Sequence, residues 1–314
     1  MFQRRKALTR LPWTQDEEEL LIRLSKQRLP VRKIANIYFP HRTFPSIKNK
    51  LRKLKKKHGL YDHDHRDLKH EINERWIKEV FMQKGRPLKI LDGYAGSGGS
   101  LIKYLPYSNI ACACEINKSN FEMLVKNVLN FINGKIVNEG HIGSFKVVEV
   151  CGKGRHVICF KGDIERVASL LYAFKWNFDF IDLDPCGSCM FVIPIALKLL
   201  KAGYLAVTYG QLHLARLRRL DVLIKECPWI GNHVTMSETL KFLIKWTVYE
   251  GLRFQRACDT KILHVDEIIP LPRWPQGIVR VLFRVSTSDA LADALNNFER
   301  EKAYIDKLVD AIRR

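Results

Sequence analysis

The stretch FIDLDPCGSC, Phe180 to Cys189, carries two carboxylates, Asp182 and Asp184, at the end of an apolar run that stops at Pro185 and Gly187. A carboxylate at the end of a buried strand must be paired, hydrogen-bonded or put to chemical use. Three other polar features end apolar runs in the same way. They are the glycine-rich turn DGYAGSGG at 92–99, Glu115 at the end of NIACACEI, and Asp163 at the end of FKVVEVCGKGRHVICFKGD. The turn lacks the Gly-Lys-Ser/Thr ending of a phosphate loop, and Gly93, Gly96, Gly98 and Gly99 do not have dinucleotide-fingerprint spacing. Glycines let a ligand lie against the backbone. With so many acids nearby, the chemistry suits a nucleoside carrying a cation better than a pyrophosphate. Gly93, Tyr94, Ala95, Gly96 and Gly98 would form the cradle, and Asp92 would meet an ammonium group. Glu115 would accept from ribose hydroxyls, with Ile116 following it. Asp163 would accept from an exocyclic adenine amine, with the Ile164 N–H beside it. A nicotinamide dinucleotide is the alternative occupant, but it leaves Asp184 to Gly187 unexplained.

Asp184 then fits the role of hydrogen-bond acceptor for a substrate amine. An exocyclic amine on a nucleobase is a poor nucleophile, because its lone pair is delocalised into the ring. An acceptor at its N–H localises that pair and offsets the charge that develops on attack. Pro185, Cys186 and Gly187 shape the loop that presents the carboxylate, and Asp182 orients the loop or the cofactor, a satisfied strand-end carboxylate being the alternative. Tyr94 or Tyr209 could supply a stacking ring.

These groups need a scaffold that gathers strand ends. From about residue 75, apolar strands alternate with helical segments: Leu88 to Leu91, 109–116, a hairpin closing on Gly-Lys-Gly, FDFIDLDP and GYLAVTYG. That alternation predicts an α/β fold with a parallel sheet covered on both faces, whose ligands bind beyond the carboxyl ends of the strands. KILHVDEIIPLP and GIVRVLFRVS read as two late antiparallel strands at the edge. The tail places Leu291, Leu295, Phe298, Ile305, Leu308 and Ile312 on one helical side, for packing on the domain or on a partner or second copy.

The N-terminal 60 residues differ. They hold 17 Lys/Arg against 4 Asp/Glu, +13 of a net charge of +20, and such a field favours a polyanion. Residues 13–57 read as three short helices, the first opened by a Thr14/Glu17 capping box and the second ended by Pro40. Opposite the apolar stripe of the third stand Lys48, Asn49, Arg52, Lys53, Lys55, Lys56 and Lys57, without an acid among them. A basic last helix of a helix-turn-helix suits the duplex major groove; docking on a protein is the alternative. Residues 61–74, rich in His and Asp, read as a linker or helix start.

Two resemblances follow. The pattern W-T-x-x-E-E, I-A, R-T-x-x-S-I-x-x-x-L across residues 13–51 resembles the Myb/SANT family, without its usual second tryptophan. The glycine turn, the acids after strands two and three, and the motif after strand four resemble class I S-adenosylmethionine-dependent methyltransferases over about residues 75–285. Within that class, FDFIDLDPCGS and LLKAGYLAVT are similar to the motif and next strand of tRNA (guanine-N2) dimethyltransferases, with Cys186 in place of a phenylalanine. More distantly, Asp184 to Gly187 is similar to the Asp-Pro-Pro-Tyr loop of amino-methylating DNA enzymes. The tRNA family's Asn-Arg motif before the core is not found, and little chain remains for its C-terminal domain. These resemblances imply a small all-α three-helix domain at 1–60, a linker at 61–74, and a Rossmann-like seven-stranded methyltransferase sheet with a C-terminal helix at 75–314. They imply S-adenosyl-L-methionine as cofactor and methyl transfer to an exocyclic base amine. Duplex DNA is favoured by the helix-turn-helix, structured RNA such as tRNA by the core; a duplex target would have to be flipped into the pocket. A non-catalytic binding module is the remaining alternative.

No apolar run is long enough to span a bilayer, and the basic start MFQRRKALTR lacks a signal sequence's apolar stretch, so an intracellular protein of cytoplasm or nucleus is expected. The eight cysteines form no disulfide framework. Cys186 and Cys189 have no second C-x-x-C, and His63, His65 and His70 lack companion ligands, so no metal is expected.

Overall fold

The computed structural model describes residues 12–27, 29, 31–57, 65–216, 219–226, 235–253, 260–271, 278–288 and 291–312. The chain divides into two compact units at Asp64/His65.

The first unit contains helices α1 (Gln15–Lys26), α2 (Val31–Tyr38) and α3 (Phe44–Lys57). The capping box is present: Thr14 Oγ1 accepts from the Glu17 N–H at 3.3 Å, and Glu17 Oε2 accepts from the Thr14 N–H at 3.0 Å. Leu21, Leu24, Ile34, Ala35, Phe39, Ile47, Leu51 and Leu54 form the core. At its rim Arg42 lies over the Trp13 ring at 4.1 Å and donates to both oxygens of Glu17 at 2.7 and 2.6 Å, which ties the start of α1 to the turn before α3. Lys50 pairs with Glu18. Lys48, Asn49, Arg52 and Lys53 stay exposed, while the side chains of Lys55, Lys56 and Lys57 lie outside the described residues.

The second unit opens on α4 (His65–Lys84), a continuous helix that takes in most of the segment expected as a linker. There follow β1 (Leu88–Asp92), α5 (Gly99–Tyr104), β2 (Ser108–Glu115), α6 (Lys118–Ile132), β3 (Lys135–Ile142), β4 (Phe145–Gly152), β5 (Arg155–Lys161), α7 (Ile164–Ala173), β6 (Phe178–Leu183), α8 (Ile193–Leu199) and β7 (Leu200–Tyr209). The chain continues through α9 (Leu212–Arg216), α10 (Leu220–Glu226), α11 (Met236–Arg253), β8 (Thr260–Pro270), β9 (Val279–Ser288) and α12 (Leu291–Ile312).

The sheet has nine strands, not seven, in the order β3-β4-β5-β2-β1-β6-β7-β9-β8. The five central strands, β5-β2-β1-β6-β7, are parallel, and an antiparallel pair closes each side. The hairpin expected from Gly-Lys-Gly is β4–β5, with Lys153 and Gly154 both at positive φ as a two-residue turn with right-handed strand twist needs. β3, beyond β4, is the strand the reading missed. Its KIVNEGHI is solvent-exposed along nearly its whole length, so it carries no alternation of apolar and polar residues to read.

The C-terminal helix packs on the domain as expected at Ile305, Phe298 and Leu308, but the rest of its buried face differs from the expected one. Its buried face is Ala294, Asn297, Glu301, Ile305 and Val309, whereas Leu295 is 47% exposed. The reason lies in its neighbour. β8 is an edge strand, and α12 covers it with polar side chains: Asn297 donates to the Leu263 carbonyl at 3.1 Å and Glu301 accepts from the Val265 N–H at 3.0 Å. No helix among the described residues is long and apolar enough to cross a membrane.

Candidate active site

From β1 the chain runs to β2 on one side, and β6 later lies down on the other, so the sheet order reverses at β1, and in open α/β sheets such a switch point is where a ligand crevice forms beyond the strand ends. Registers place the expected groups along this one edge. Asp92 lies opposite Asp182 across β1–β6, and Glu115 lies opposite Lys161 across β2–β5.

The glycine turn is fastened to both neighbouring strands. The Gly93 N–H donates to the Asp182 carbonyl at 2.9 Å, and the Ala95 N–H donates to the Cys114 carbonyl at 3.0 Å. A Cβ at Gly93 would stand 2.9 Å from Leu183 Cδ2 and 3.1 Å from Ile164 Cγ1. Gly98, at φ +92°, takes a left-handed conformation to start α5. A Cβ on Gly96 would meet nothing within 4 Å, so this part of the turn is open. Tyr94 is half-buried against the core.

Past β2, Glu115 Oε1 accepts from the Asn117 N–H at 2.6 Å, and Ile116 is 67% exposed. Past β5, the exposed Asp163 caps α7, with Oδ1 accepting from the Glu165 N–H at 2.9 Å. The Ile164 side chain is buried.

Beneath the crevice lies a charge cluster. Asp182, fully buried, accepts from Arg280 Nη2 at 2.9 Å and from the Tyr104 hydroxyl at 2.5 Å. Arg280, also fully buried, donates in addition to Thr208 Oγ1 at 2.8 Å and sits 5.3 Å from the Trp76 ring centroid. Asp182 is therefore a satisfied strand-end carboxylate. Asp92 is 1% exposed, and its Oδ2 has no hydrogen-bond partner. Burial, reinforced by Asp182 and Asp184, pushes its carboxyl well above the usual range. A carboxyl set so deep departs from the open ammonium partner expected from sequence.

Asp184 stands at the mouth. Lys69, from the second turn of α4, pairs with its Oδ2, and Arg280 Nη1 lies 3.7 Å from its Oδ1. Burial alone would raise this carboxyl, but Arg280 and then Lys69 outweigh it and hold Asp184 below its usual range. Pro185 is buried, Cys186 is exposed at the loop tip, and a Cβ on Gly187 would meet nothing within 4 Å. Cys189 is buried. Tyr209 cannot stack on a substrate: it is fully buried, with its hydroxyl 2.7 Å from Thr247 Oγ1. Tyr94 is left as the half-exposed ring of the first turn. His63 lies outside the described residues, as does the side chain of His65; the His70 ring would meet a Cβ on Gly99 at 2.9 Å. Among the described residues no three His, Cys, Asp or Glu side chains are grouped to hold a metal.

Sequence reasoning missed Arg280 and Lys69. A signal existed for Arg280, an arginine between valines in the apolar strand GIVRVLF, where a buried cation requires an anion. Lys69 had none, being one basic residue among many.

No protein-family model matches the chain, and no curated protein matches it in sequence. The structure is similar to that of Trm1 from Pyrococcus horikoshii, solved with S-adenosyl-L-methionine, at TM-score 0.55 and 16% identity, covering 73% of this chain and 58% of that one. The two share a fold. This chain thus spans little more than half the length of that structure. A looser likeness, at TM-score 0.40 and 15% identity, relates it to the M. jannaschii tRNA m1G37 methyltransferase, covering 69% of this chain and 49% of that one. Trm5b from Pyrococcus abyssi stands at TM-score 0.38 and 14% identity, with 68% and 48% covered.

Proposed function

We propose that the chain is an S-adenosylmethionine-dependent N-methyltransferase acting on an exocyclic amine of a nucleic-acid base. The observation that carries this reading is Asp184, an ionised carboxylate at the mouth of the crevice where the sheet order reverses, next to a glycine turn fastened to both flanking strands. The fold shared with Trm1 supports it.

The residues at the strand ends fit the cofactor. The turn at Gly93 leaves no room for a side chain, the backbone at Gly96 is open, and Ile116 offers an uncovered apolar surface for an adenine. Glu115 and Asp163 keep acceptor capacity for ribose hydroxyls and the adenine amine, and the Ile164 N–H supplies a donor. Asp92, buried with its carboxyl held toward the neutral form, lies beneath the turn as a hydrogen-bonding group rather than as an anion. Bound there, the cofactor supplies an electrophilic methyl group. Asp184 accepts an N–H of the target amine, so the nitrogen lone pair is directed outward and the positive charge that grows on nitrogen is offset. The buried Arg280 on β9 reaches across β7, through Thr208, to Asp182 on β6, and so fixes the strand end from which Asp184 follows.

The N-terminal unit is proposed to be a Myb/SANT-like nucleic-acid-binding module. Lys48, Asn49, Arg52 and Lys53 would meet phosphate or groove edges, with Lys56 on the same helix. Its helix-turn-helix favours duplex DNA. The likeness of LDPCGS to tRNA (guanine-N2) dimethyltransferases favours structured RNA as the second reading. The test is transfer of labelled methyl from the cofactor to plasmid DNA, bulk tRNA and a histone-like protein side by side, followed by nucleoside analysis. Label in a methylated exocyclic amine of DNA or RNA is expected; label in protein alone, or in nothing, removes the proposal. Asp184→Ala should abolish transfer while cofactor binding survives.

A further inference from the structure

Both oxygens of Asp184 face cations, Lys69 directly at Oδ2 and Arg280 at 3.7 Å from Oδ1, so a substrate amine drawn to this carboxylate competes with a cation already there. The two are not equivalent. Arg280 is fully buried, anchored by hydrogen bonds to Asp182 and Thr208 and packed on Trp76. Lys69 is 17% exposed, hangs on a flexible stem, and among the described residues pairs through its ammonium with Asp184. A lysine ammonium carries three N–H donors on a point charge and matches, in size and donor character, an amine brought to the same oxygen. The helix that bears it is seated at the site: Asn73, one turn on, donates to Ser100 Oγ at 3.0 Å at the start of α5.

We infer that Lys69 is a positioning residue that stands in for the substrate's amine: it occupies the acceptor oxygen of Asp184 in the empty enzyme and gives it up when the target base enters. The inference rests on the reading of Asp184 as the amine acceptor. It follows that Asp184 is kept ionised and turned toward the mouth without being buried by a permanent partner. Arg280 remains beside Oδ1 throughout, and the other charged groups of the cluster, Asp92, Asp182 and Tyr104, lie behind it on β1, β6 and α5.

Lys69→Ala removes the propylammonium portion of the side chain and leaves an amine-shaped gap against Asp184. Propylammonium is therefore expected to raise the melting temperature of Lys69→Ala saturably. 1-Propanol should not do so, and neither wild type nor Lys69→Ala/Asp184→Asn should respond to propylammonium. A Lys69→Ala response no different from that of the double variant overturns the inference. This arm needs no methyl transfer, so it stands whether or not the proposed activity is found. In the transfer assay, Lys69→Ala should lower KM for the nucleic acid severalfold, and propylammonium should inhibit it competitively. A drop in kcat that propylammonium restores would mean that Lys69 stays paired through turnover, and would overturn the stand-in role. Lys69→Met, an apolar replacement of similar length, repeats the KM measurement without opening a gap.

Discussion

At the scale of single residues, the strongest commitment in the molecule is Arg280. Removing one partner of a buried ion pair strands the other in a low-dielectric interior, at a cost of about 3–5 kcal/mol. Arg280→Met should therefore destabilise the second unit by that amount in urea unfolding, far more than a surface arginine change. Because Arg280 is the leading influence holding Asp184 down, the same variant should also move the acid limb of the pH–rate profile to higher pH. In the first unit, Arg42 and His41 hold Glu17 down to about 2, from 4.5, against burial that opposes them. A depressed carboxyl contributes stability that is present above its ordinary value and is lost as pH falls through its folded one. The first unit's melting temperature should therefore fall between about pH 4.5 and 2 in wild type and be flatter there in Glu17→Gln, as followed by the resolved Trp13 indole N–H signal in NMR spectra of the full chain. Asp184 and the glycine turn were legible because residue type and local sequence announce them. Lys69 and the depth of Asp92 were not, because each depends on what another segment, 115 residues away in the Lys69–Asp184 pair, brings alongside.

At the scale of elements, patterns were readable wherever one face of a strand or helix is apolar and the other wet. The β4–β5 hairpin and the late β8–β9 pair follow from that contrast, whereas the parallel β1, β2, β6 and β7, covered on both faces, were readable as continuous apolar runs between helical segments. The rule failed at both sheet edges for opposite reasons. β3 is wet on both faces, and α12 buries Asn297 and Glu301 because an edge strand offers it backbone groups to satisfy. The element on which the site depends most is the glycine turn. Gly98→Ala asks a side chain to adopt φ +92° and would bring a Cβ to 2.9 Å from Leu124 Cδ1. A left-handed non-glycine residue costs about 1–3 kcal/mol. The expected outcome is a loss of that size in urea unfolding together with weakened S-adenosylmethionine binding in calorimetry. Unchanged binding would move the cofactor away from this turn.

At the scale of the whole molecule, charge and chemistry are separated along the chain. The first 60 residues carry +13 of the +20, and the exposed face of α3 concentrates it on Lys48, Arg52 and Lys53, while the candidate chemistry belongs wholly to the second unit. On the proposed reading, such a division gives affinity to one unit and turnover to the other. Each phosphate contact contributes about −0.9 to the slope of log affinity against log salt on duplex DNA, so the three cations of that face alone account for a flattening of about 2–3, and removing all of residues 1–60 should flatten the slope by at least that. Residues 61–314 should accordingly bind duplex DNA more weakly at low salt and converge toward the full chain as salt rises, with KM increased and kcat at saturating substrate largely kept. Fluorescence anisotropy across a salt series measures the slope directly. A truncated chain with the full chain's slope would place the polyanion contacts on the second unit, and would leave the three helices as a module for docking on a protein.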